Sequence, residues 1–254
     1  MKIALQIYGE FRSFEKCLPD MLHYIDYSNH DVDVFLLTQK KSKSYSETNL
    51  NKIENLFGKN NIKELRYIED YSKEILDKED TFAEEYKLLY KKFKQKFNNK
   101  LSCNYFVTRL WFRRYLNNQM RIEYENKHNV IYDYVVRSRF DIGFKSDIKK
   151  KINYDNAPFF FCDTLSIAYP EIINIESQLG LEFPCTPKYM YNQQLELDYN
   201  KPHINLFIDK GCNHHRWLLM SENNLYLYLI VNVCHKLDIK NTNANLAHEL
   251  IIKR

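Results

Sequence analysis

Residues 31–38 form a short and almost continuously apolar segment, and this segment limits the folds that are open to the chain. Its apolar members are Val32, Val34, Phe35, Leu36 and Leu37. A strand with so little polar surface has to be covered on both sides, which is typical of a parallel sheet with helices packed on each face. The segment therefore predicts a buried strand of an α/β protein.

Signals for strands and helices alternate from residue 2 to residue 68. Residues 2–8 form a second short and mostly apolar run, and residues 62–68 form a third run that is predicted to be a strand. Apolar residues at helical spacing separate the three runs, at 14–25 and at 50–57, and Gly58 gives the second helix a stop. Alternation of this kind predicts a parallel sheet whose strands are joined by helical crossovers.

The second half of the chain continues this pattern less regularly. Residues 71–128 contain two amphipathic helical stretches, and residues 131–136 follow as an apolar strand. Residues 157–163 are another short apolar run, and a helix is predicted to begin at Pro170 and to end at Gly180. We therefore expect strands and helices to alternate into the last third of the chain.

Composition favours one large domain that folds around its own core. The 254 residues are 44% hydrophobic, and glycine and proline number only 5 and 6, which argues against flexible linkers. The net charge is +4, from 37 basic and 33 acidic residues, which suits a small anionic ligand and falls short of a nucleic-acid surface. We expect no nucleic-acid partner.

The cysteines and the apolar runs predict a soluble, cytoplasmic protein without a membrane span. Six cysteines are scattered without a C-x-x-C pair, and no signal peptide precedes them, a pattern typical of reduced thiols. The longest apolar run, residues 225–233, is predicted to be a helix and is far below the roughly 20 residues that a membrane helix needs.

Three charged residues come directly after the predicted strand at 131–136. Arg137, Arg139 and Asp141 alternate along the chain, so in an extended segment their side chains share one face. Ligands of open α/β sheets bind outside the carboxyl ends of the strands, where arginine matches phosphate and carboxylate holds a divalent cation. The row is typical of a site for a metal-bound diphosphate; the alternative is a pair of surface arginines on a loop.

The order and spacing of four features carry a resemblance to a known family. They are residues 9–14 after the first strand, the strand that ends at Thr38, the Arg-x-Arg-x-Asp motif at 137–141, and Asp163 followed by a helix at Pro170. Over residues 1–180 the chain resembles the glycosyltransferases with a GT-A-like fold that are found in large DNA viruses and in bacterial surface-polysaccharide clusters. The resemblance implies a Rossmann-like, mainly parallel central sheet flanked by helices, in a single domain.

The activity implied by the resemblance is transfer of a sugar from a nucleotide-sugar donor to a hydroxyl group of a glycan or protein acceptor. Residues 1–130 would form the nucleotide-binding half, and residues 131–254 the half that holds the metal and the acceptor. Asp141 is the expected ligand of Mn²⁺ or Mg²⁺. Most enzymes of this type carry Asp-x-Asp here, whereas Arg139 replaces the first carboxylate. Arg137 and Arg139 are therefore expected to neutralise diphosphate charge during catalysis.

The resemblance also implies the remaining site residues. Donor binding is expected from Gly9, Glu10, Arg12 and Thr38. Asp163 is the candidate general base if transfer inverts the anomeric centre, with a helix-capping or loop role as the alternative. His214, beside Cys212 and His215, is a candidate metal ligand, with a plain surface loop as the alternative.

Two other functions stay open at this point. A chain that kept this fold without the Asp-x-Asp could bind a nucleotide or a glycan and not turn it over. Six lysines between residues 87 and 100 could alternatively bind nucleic acid, although a solvated helix face explains them more simply. The chain has neither G-x-G-x-x-G nor a Walker-type phosphate loop, which disfavours ordinary dinucleotide and P-loop sites.

Overall fold

The structure, a computed structural model, describes residues 1–81, 84, 106–144, 151–157, 159–161, 165–182 and 250–252. Its strands are β1 (Lys2–Tyr8), β2 (Asp31–Thr38), β3 (Ile62–Tyr67), β4 (Tyr134–Arg139), β5 (Ile142–Phe144), β6 (Phe159–Phe161), β7 (Leu165–Ala168) and β8 (Leu250–Ile252). Its helices are α1 (Phe14–Tyr24), α2 (Glu47–Phe57), α3 (residues 73–81), α4 (Phe106–His128) and α5 (Pro170–Glu182). None of these helices combines the length and the apolarity needed to cross a membrane.

Six strands form one sheet in the order β3-β2-β1-β4-β7-β6. β1 pairs in parallel with β2 on one side and with β4 on the other, and β2 pairs in parallel with β3. The pairs of β4 with β7 and of β7 with β6 are antiparallel, and β5 forms a separate antiparallel pair with β8. The predicted α/β fold with a mainly parallel, helix-flanked sheet is confirmed, whereas β7 and the antiparallel edge were not predicted.

Alternation along β1 divides the core between the two faces of the sheet. Ile3, Leu5 and Ile7 pack with apolar residues of α1 and α2 on one face. Ala4 and Tyr8 pack with apolar residues of α4 and α5 on the other face. All five side chains are fully buried, because helices cover both faces of the sheet.

Local signals explain both ends of α2 but not the start of α1 or the end of α5. Ser46 caps α2 by accepting a backbone N–H hydrogen bond at 3.1 Å, and Gly58, at φ 78°, follows the last residue. Ser13 precedes α1 as predicted, but it is left-handed, at φ 55°, and its side chain makes no capping bond. The predicted stop at Gly180 is wrong, because α5 continues beyond it. A glycine inside a helix costs only about 1 kcal/mol relative to alanine, which packing can offset.

A cluster of buried charges lies between the sheet and helices α4 and α5. It consists of Arg114, Arg137 and Glu176, the buried arginine cluster, and none of these side chains is more than 1% exposed. The Glu176 carboxylate accepts hydrogen bonds from both guanidinium groups, one at each oxygen. Burial lowers the pKa of Arg137 to about 10, which still leaves the group charged at neutral pH. Two buried guanidinium groups therefore share one carboxylate.

Replacing Glu176 by Gln is expected to destabilise the fold by about 3–5 kcal/mol, because two buried guanidinium groups lose their shared counter-charge. Urea unfolding of the wild type and of Glu176→Gln measures this difference. Glu171→Gln is the matched control, since Glu171 lies on the same helix and is exposed. Equal losses of stability in the two variants would contradict the assigned role of Glu176.

Candidate functional site

The carboxyl ends of β1, β2 and β4 meet at one edge of the sheet because these three strands are parallel. β1 lies in the middle, and the chain builds outward to β3 on one side before β4 is added on the other. The strand order therefore reverses between β1 and β4. Ligands of open α/β sheets bind in the crevice at this kind of switch point. This edge is the candidate functional site.

The loop after β1 keeps its backbone close to the sheet. Gly9 has a φ of 113°, which residues with a side chain rarely adopt, and its N–H donates to the carbonyl oxygen of Leu37 at 3.0 Å. Apart from its chain neighbours, a Cβ atom at Gly9 would meet no atom of the described residues within 4 Å. Among these residues, open space therefore lies beside the backbone at the position where a donor was predicted to bind.

Three aromatic side chains join the loops that follow the three strands. Phe11, after β1, packs edge-on against Phe140, after β4, with ring centres 4.9 Å apart. Phe11 also stacks on Tyr45, after β2, with ring centres 5.8 Å apart. Aromatic pairs contribute about 0.5–1.5 kcal/mol each beyond their burial, so these contacts tie the three loops to one another.

Charged side chains after β1 and at the end of β4 contact one another. Arg139 donates two hydrogen bonds to Asp141, from Nε to Oδ1 at 2.9 Å and from Nη2 to Oδ2 at 2.7 Å. Arg12 Nη2 lies 3.8 Å from the same Oδ2, and Arg12 Nε lies 3.4 Å from Oε2 of Glu10. These four residues were all predicted to belong to the site, and the structure brings them together.

Exposure separates the four side chains into two layers. Those of Arg12 and Glu10 are 49% and 32% exposed, whereas those of Arg139 and Asp141 are 16% and 5% exposed. A two-bond contact between arginine and carboxylate is strong and directional, and little solvent weakens it here. A ligand that approaches from solvent would meet Arg12 and Glu10 first.

Three further side chains extend this network and were not predicted. Gln39, the residue after β2, donates from Nε2 to Oε1 of Glu10 at 3.0 Å. Arg113 of α4 donates from Nη1 to Oε1 of Gln39 at 2.9 Å and from Nε to Oε1 of Glu79 at 3.2 Å. The place of Gln39 at the carboxyl end of a strand was a usable signal. No sequence pattern connects it with Arg113, which lies 74 residues away.

Arg137 lies apart from this network, contrary to the predicted row of three charges. Arg137 and Arg139 are two positions apart on β4, so their side chains start from the same face of the strand. The Arg137 side chain, however, is only 1% exposed and donates to Glu176, Gln6 and Ser177. A guanidinium group enclosed in this way has no surface to offer to a phosphate. Arg137 is therefore a residue of the buried arginine cluster and not a ligand-binding residue.

The other predicted site residues are less informative. Thr38 is buried, and its hydroxyl group has no hydrogen-bond partner among the residues that the structure describes. Asp163 and His214 lie outside the described residues, so their roles as general base and metal ligand stay predictions. The same is true of the apolar helix predicted at 225–233 and of the lysine-rich segment at 87–100.

The described side chains at this edge do not by themselves fit a resident divalent cation. Asp141 is the predicted metal ligand, and both of its oxygens already accept hydrogen bonds from Arg139. Within the described ranges, no three His, Cys, Asp or Glu side chains lie together as a metal would require. A requirement for Mn²⁺ or Mg²⁺ therefore stays a prediction.

A cavity of about 490 Å³ lies away from this network, beside the loop that precedes β4. Glu125, Tyr132, Asp133 and Glu171 are among the residues that line it. None of the predicted site residues that the structure describes lines this cavity. The cavity therefore does not change the assignment of the candidate site, because that assignment is based on the strand ends and on the charged network.

Comparison with known proteins adds no family to these observations. No protein-family model matches the chain, and no curated protein matches it. The proposed function therefore depends on the geometry of the site and on the sequence resemblance.

Glu69 fixes the segment that follows Gln39. Its carboxylate accepts hydrogen bonds from the backbone N–H groups of Lys40, at 3.0 Å, and Lys41, at 2.8 Å. Burial raises the pKa of Glu69, but backbone hydrogen bonds, with that of Lys41 the strongest, outweigh it, and the pKa is lowered. A lowered carboxyl pKa stabilises the folded state above the unfolded pKa, and this stabilisation is lost as pH falls through the folded pKa.

Acid is therefore expected to loosen the segment after β2. The hydrogen-exchange protection of the Lys40 and Lys41 amides should fall as pH drops below 4.5, the ordinary pKa of glutamate. Glu69→Gln should lower this protection at neutral pH and remove its dependence on pH. Amides inside α2 serve as the internal control. Protection at Lys40 and Lys41 that follows the α2 amides at every pH would contradict the role of Glu69.

Proposed function

We propose that this chain is a glycosyltransferase that moves a sugar from a nucleotide-sugar donor to a hydroxyl group of a glycan or protein. The observation that carries the proposal is the meeting of Gly9, Arg12 and Arg139 at the switch point of the sheet. A nucleoside diphosphate needs close approach to backbone and guanidinium groups that match its phosphates. The sequence resemblance supports a sugar as the transferred group.

Arg12 is the proposed first contact of the diphosphate. Its side chain is half exposed, and Glu10 and Asp141 hold it from two sides. Transfer leaves negative charge on the departing nucleoside diphosphate, so a guanidinium group that is already oriented stabilises the transition state more than the ground state. Arg139, oriented by its two bonds to Asp141, supplies a second positive group at the same carboxylate. In an inverting transfer, Asp163 would take the proton of the acceptor hydroxyl.

One observation favours a second candidate function. Both oxygens of Asp141 are already bonded by Arg139, which leaves this carboxylate neutralised within the protein. A chain with this arrangement could bind a nucleotide or a glycan through its arginines without catalysing transfer. The two functions differ in turnover, and they also differ in the effect of Mn²⁺ on donor binding.

Arg12→Gln is expected to weaken binding of a nucleoside diphosphate by roughly 10- to 100-fold, the effect of losing a charge-assisted hydrogen bond. Thermal unfolding with UDP, GDP and CDP, followed by calorimetric titration of the one that binds, measures this. Arg66→Gln is the matched control, because Arg66 is also partly exposed and also lies in ion pairs, with Glu64 and Glu123. The proposal fails if none of these diphosphates or their hexose derivatives stabilises the wild type.

The same titrations with and without Mn²⁺ separate the two functions. A stabilisation that needs Mn²⁺ and disappears in Asp141→Ala, together with release of nucleoside diphosphate from the donor, supports the transferase. Stabilisation of the wild type without Mn²⁺, and no release of nucleoside diphosphate from the donor, supports the binding protein. Asp155→Ala, a change of an exposed aspartate, is the control for the substitution itself.

Gly9→Ala tests the backbone approach separately from charge. Gly9 and Gly58 both have positive φ, so alanine at either position is expected to cost about 1–3 kcal/mol of stability. Only Gly9→Ala should also weaken diphosphate binding, because its methyl group would fill the open space beside the loop. Equal affinity of the two variants would place the ligand elsewhere.

A further inference from the structure

A row of hydrogen bonds joins helix α3 to the Glu10 carboxylate. Glu79 accepts from Arg113 Nε at 3.2 Å, and Arg113 Nη1 donates to Gln39 at 2.9 Å. Gln39 then donates to Glu10 at 3.0 Å. We call Glu79, Arg113 and Gln39 the Gln39 relay. It connects the buried side of the site with a carboxylate that a ligand can reach.

The chemistry of arginine fixes the direction of this relay. An arginine side chain has only donors, so the group that Gln39 presents to Arg113 has to be its carbonyl oxygen. The amide nitrogen of Gln39 then has to face Glu10, and Glu10 has to accept. Arg12 Nε lies 3.4 Å from the other oxygen of Glu10 and forms an ion pair with it. Both oxygens of Glu10 therefore face donor groups of the protein.

Burial keeps the relay in place. Glu79 is 7% exposed, and the Arg113 side chain is 21% exposed, so this pair has little freedom to exchange partners with water. Burial raises the pKa of Glu79, and the nearby Arg113 and Arg109 oppose that rise. An anchored Arg113 holds the Gln39 amide in one orientation, and the amide in turn holds Glu10.

Glu10 can bond only to ligand groups that donate. A carboxylate has about four lone-pair positions; in the described chain Gln39 bonds to one of them, and the other oxygen of Glu10 forms an ion pair with Arg12. Its side chain is 32% exposed, which leaves the remaining positions within reach of a ligand. A phosphate group would be repelled there, whereas a hydroxyl group would bond. Arg12 is therefore suited to bind the anionic phosphates of the ligand, and Glu10 is suited to bind its hydroxyl groups.

We propose that the Gln39 relay holds Glu10 as the acceptor for neighbouring hydroxyl groups of the bound nucleotide-sugar. The inference rests on the proposed function. Glu10 is the residue that touches the substrate, and Glu79, Arg113 and Gln39 are positioning residues. These contacts give the bound nucleotide-sugar one orientation along the edge of the sheet. Its hydroxyl groups face the end of β2, and its diphosphate faces Arg12 and the end of β4. The hydroxyl groups belong to the ribose or to the transferred hexose, and ligand analogues distinguish the two.

The test compares the affinities of three probes: the nucleoside diphosphate that stabilises the wild type, its 2′,3′-dideoxy form, and its hexose derivative. If Glu10 bonds the ribose, the wild type should prefer the diphosphate over the dideoxy form by about tenfold, the value of one to two such hydrogen bonds. If it bonds the hexose, the preference should appear between the hexose derivative and the diphosphate. Glu10→Gln should remove the preference, because it should weaken binding of the more hydroxylated probe more than binding of the less hydroxylated one.

Relay variants separate positioning from folding. Arg113→Gln and Gln39→Leu should reduce the same preference, and Arg113→Lys, which donates without the fixed fork, should restore part of it. Arg109→Gln is the matched control, because Arg109 also joins α4 to α3, through Asp80 at 2.8 Å, without contacting Gln39. Gln39→Leu leaves the contacts between α3 and α4 intact, so it stays informative if Arg113→Gln does not fold.

The results of these titrations distinguish failure of the proposed function from failure of the relay inference. Absence of any diphosphate binding by the wild type overturns the proposed function. Binding without a preference for either hydroxylated probe overturns the relay inference and leaves the proposed function standing. A preference that survives Gln39→Leu and Arg113→Gln but not Glu10→Gln removes the positioning role from the relay.

Discussion

Parallel pairing of β1 with both of its neighbours is the constraint on which the rest of the structure depends. It brings the ends of three strands to one edge, and the loops after them carry Gly9, Gln39 and Asp141. Parallel neighbours need crossovers that pass over a face of the sheet, so the helices that bury the apolar side chains of β1 follow from the same pairing. One arrangement of strands therefore accounts for both the two-sided core and the charged edge.

The apolar strands of the core could be predicted from the sequence, whereas for β4 only the apolar part could be predicted and not the charged end. Residues 31–38 read as a strand from their hydrophobicity alone, and β2 has these bounds. The apolar run before Arg137 ends at residue 136, whereas β4 continues through Arg137 to Arg139. The reason is that Glu176, 39 residues later, supplies the counter-charge that makes burial of Arg137 tolerable. Local hydrophobicity carries no information about such a distant partner.

The candidate site was predictable to a similar degree. Glu10 and Arg12 were expected there from the sequence resemblance and Asp141 from the row of charges after a predicted strand, and the structure places the three in contact range. The contact between Gln39 and Arg113 depends instead on how α4 sits on the sheet. That position is set by the packing of a long helix, which includes apolar residues in the core and several buried arginines. The spacing of residues along the sequence predicts neither this packing nor the resulting position of α4.

Two arginines two residues apart on β4 illustrate why charge alone does not define the site. Arg137 and Arg139 each bond a carboxylate that has a second arginine nearby, Arg114 for one and Arg12 for the other. An anion that took hydrogen bonds from Arg139 would leave Asp141 with Arg12, 3.8 Å away, as a replacement partner. The cost of an unpaired buried charge, about 1–3 kcal/mol or more, is thereby avoided. No such exchange is open to the enclosed Arg137, because both arginines at Glu176 are almost fully buried. Whether a ligand can reach the motif therefore depends on the second arginine at each carboxylate. Arg12, beside Asp141, is exposed, whereas Arg114, beside Glu176, is buried.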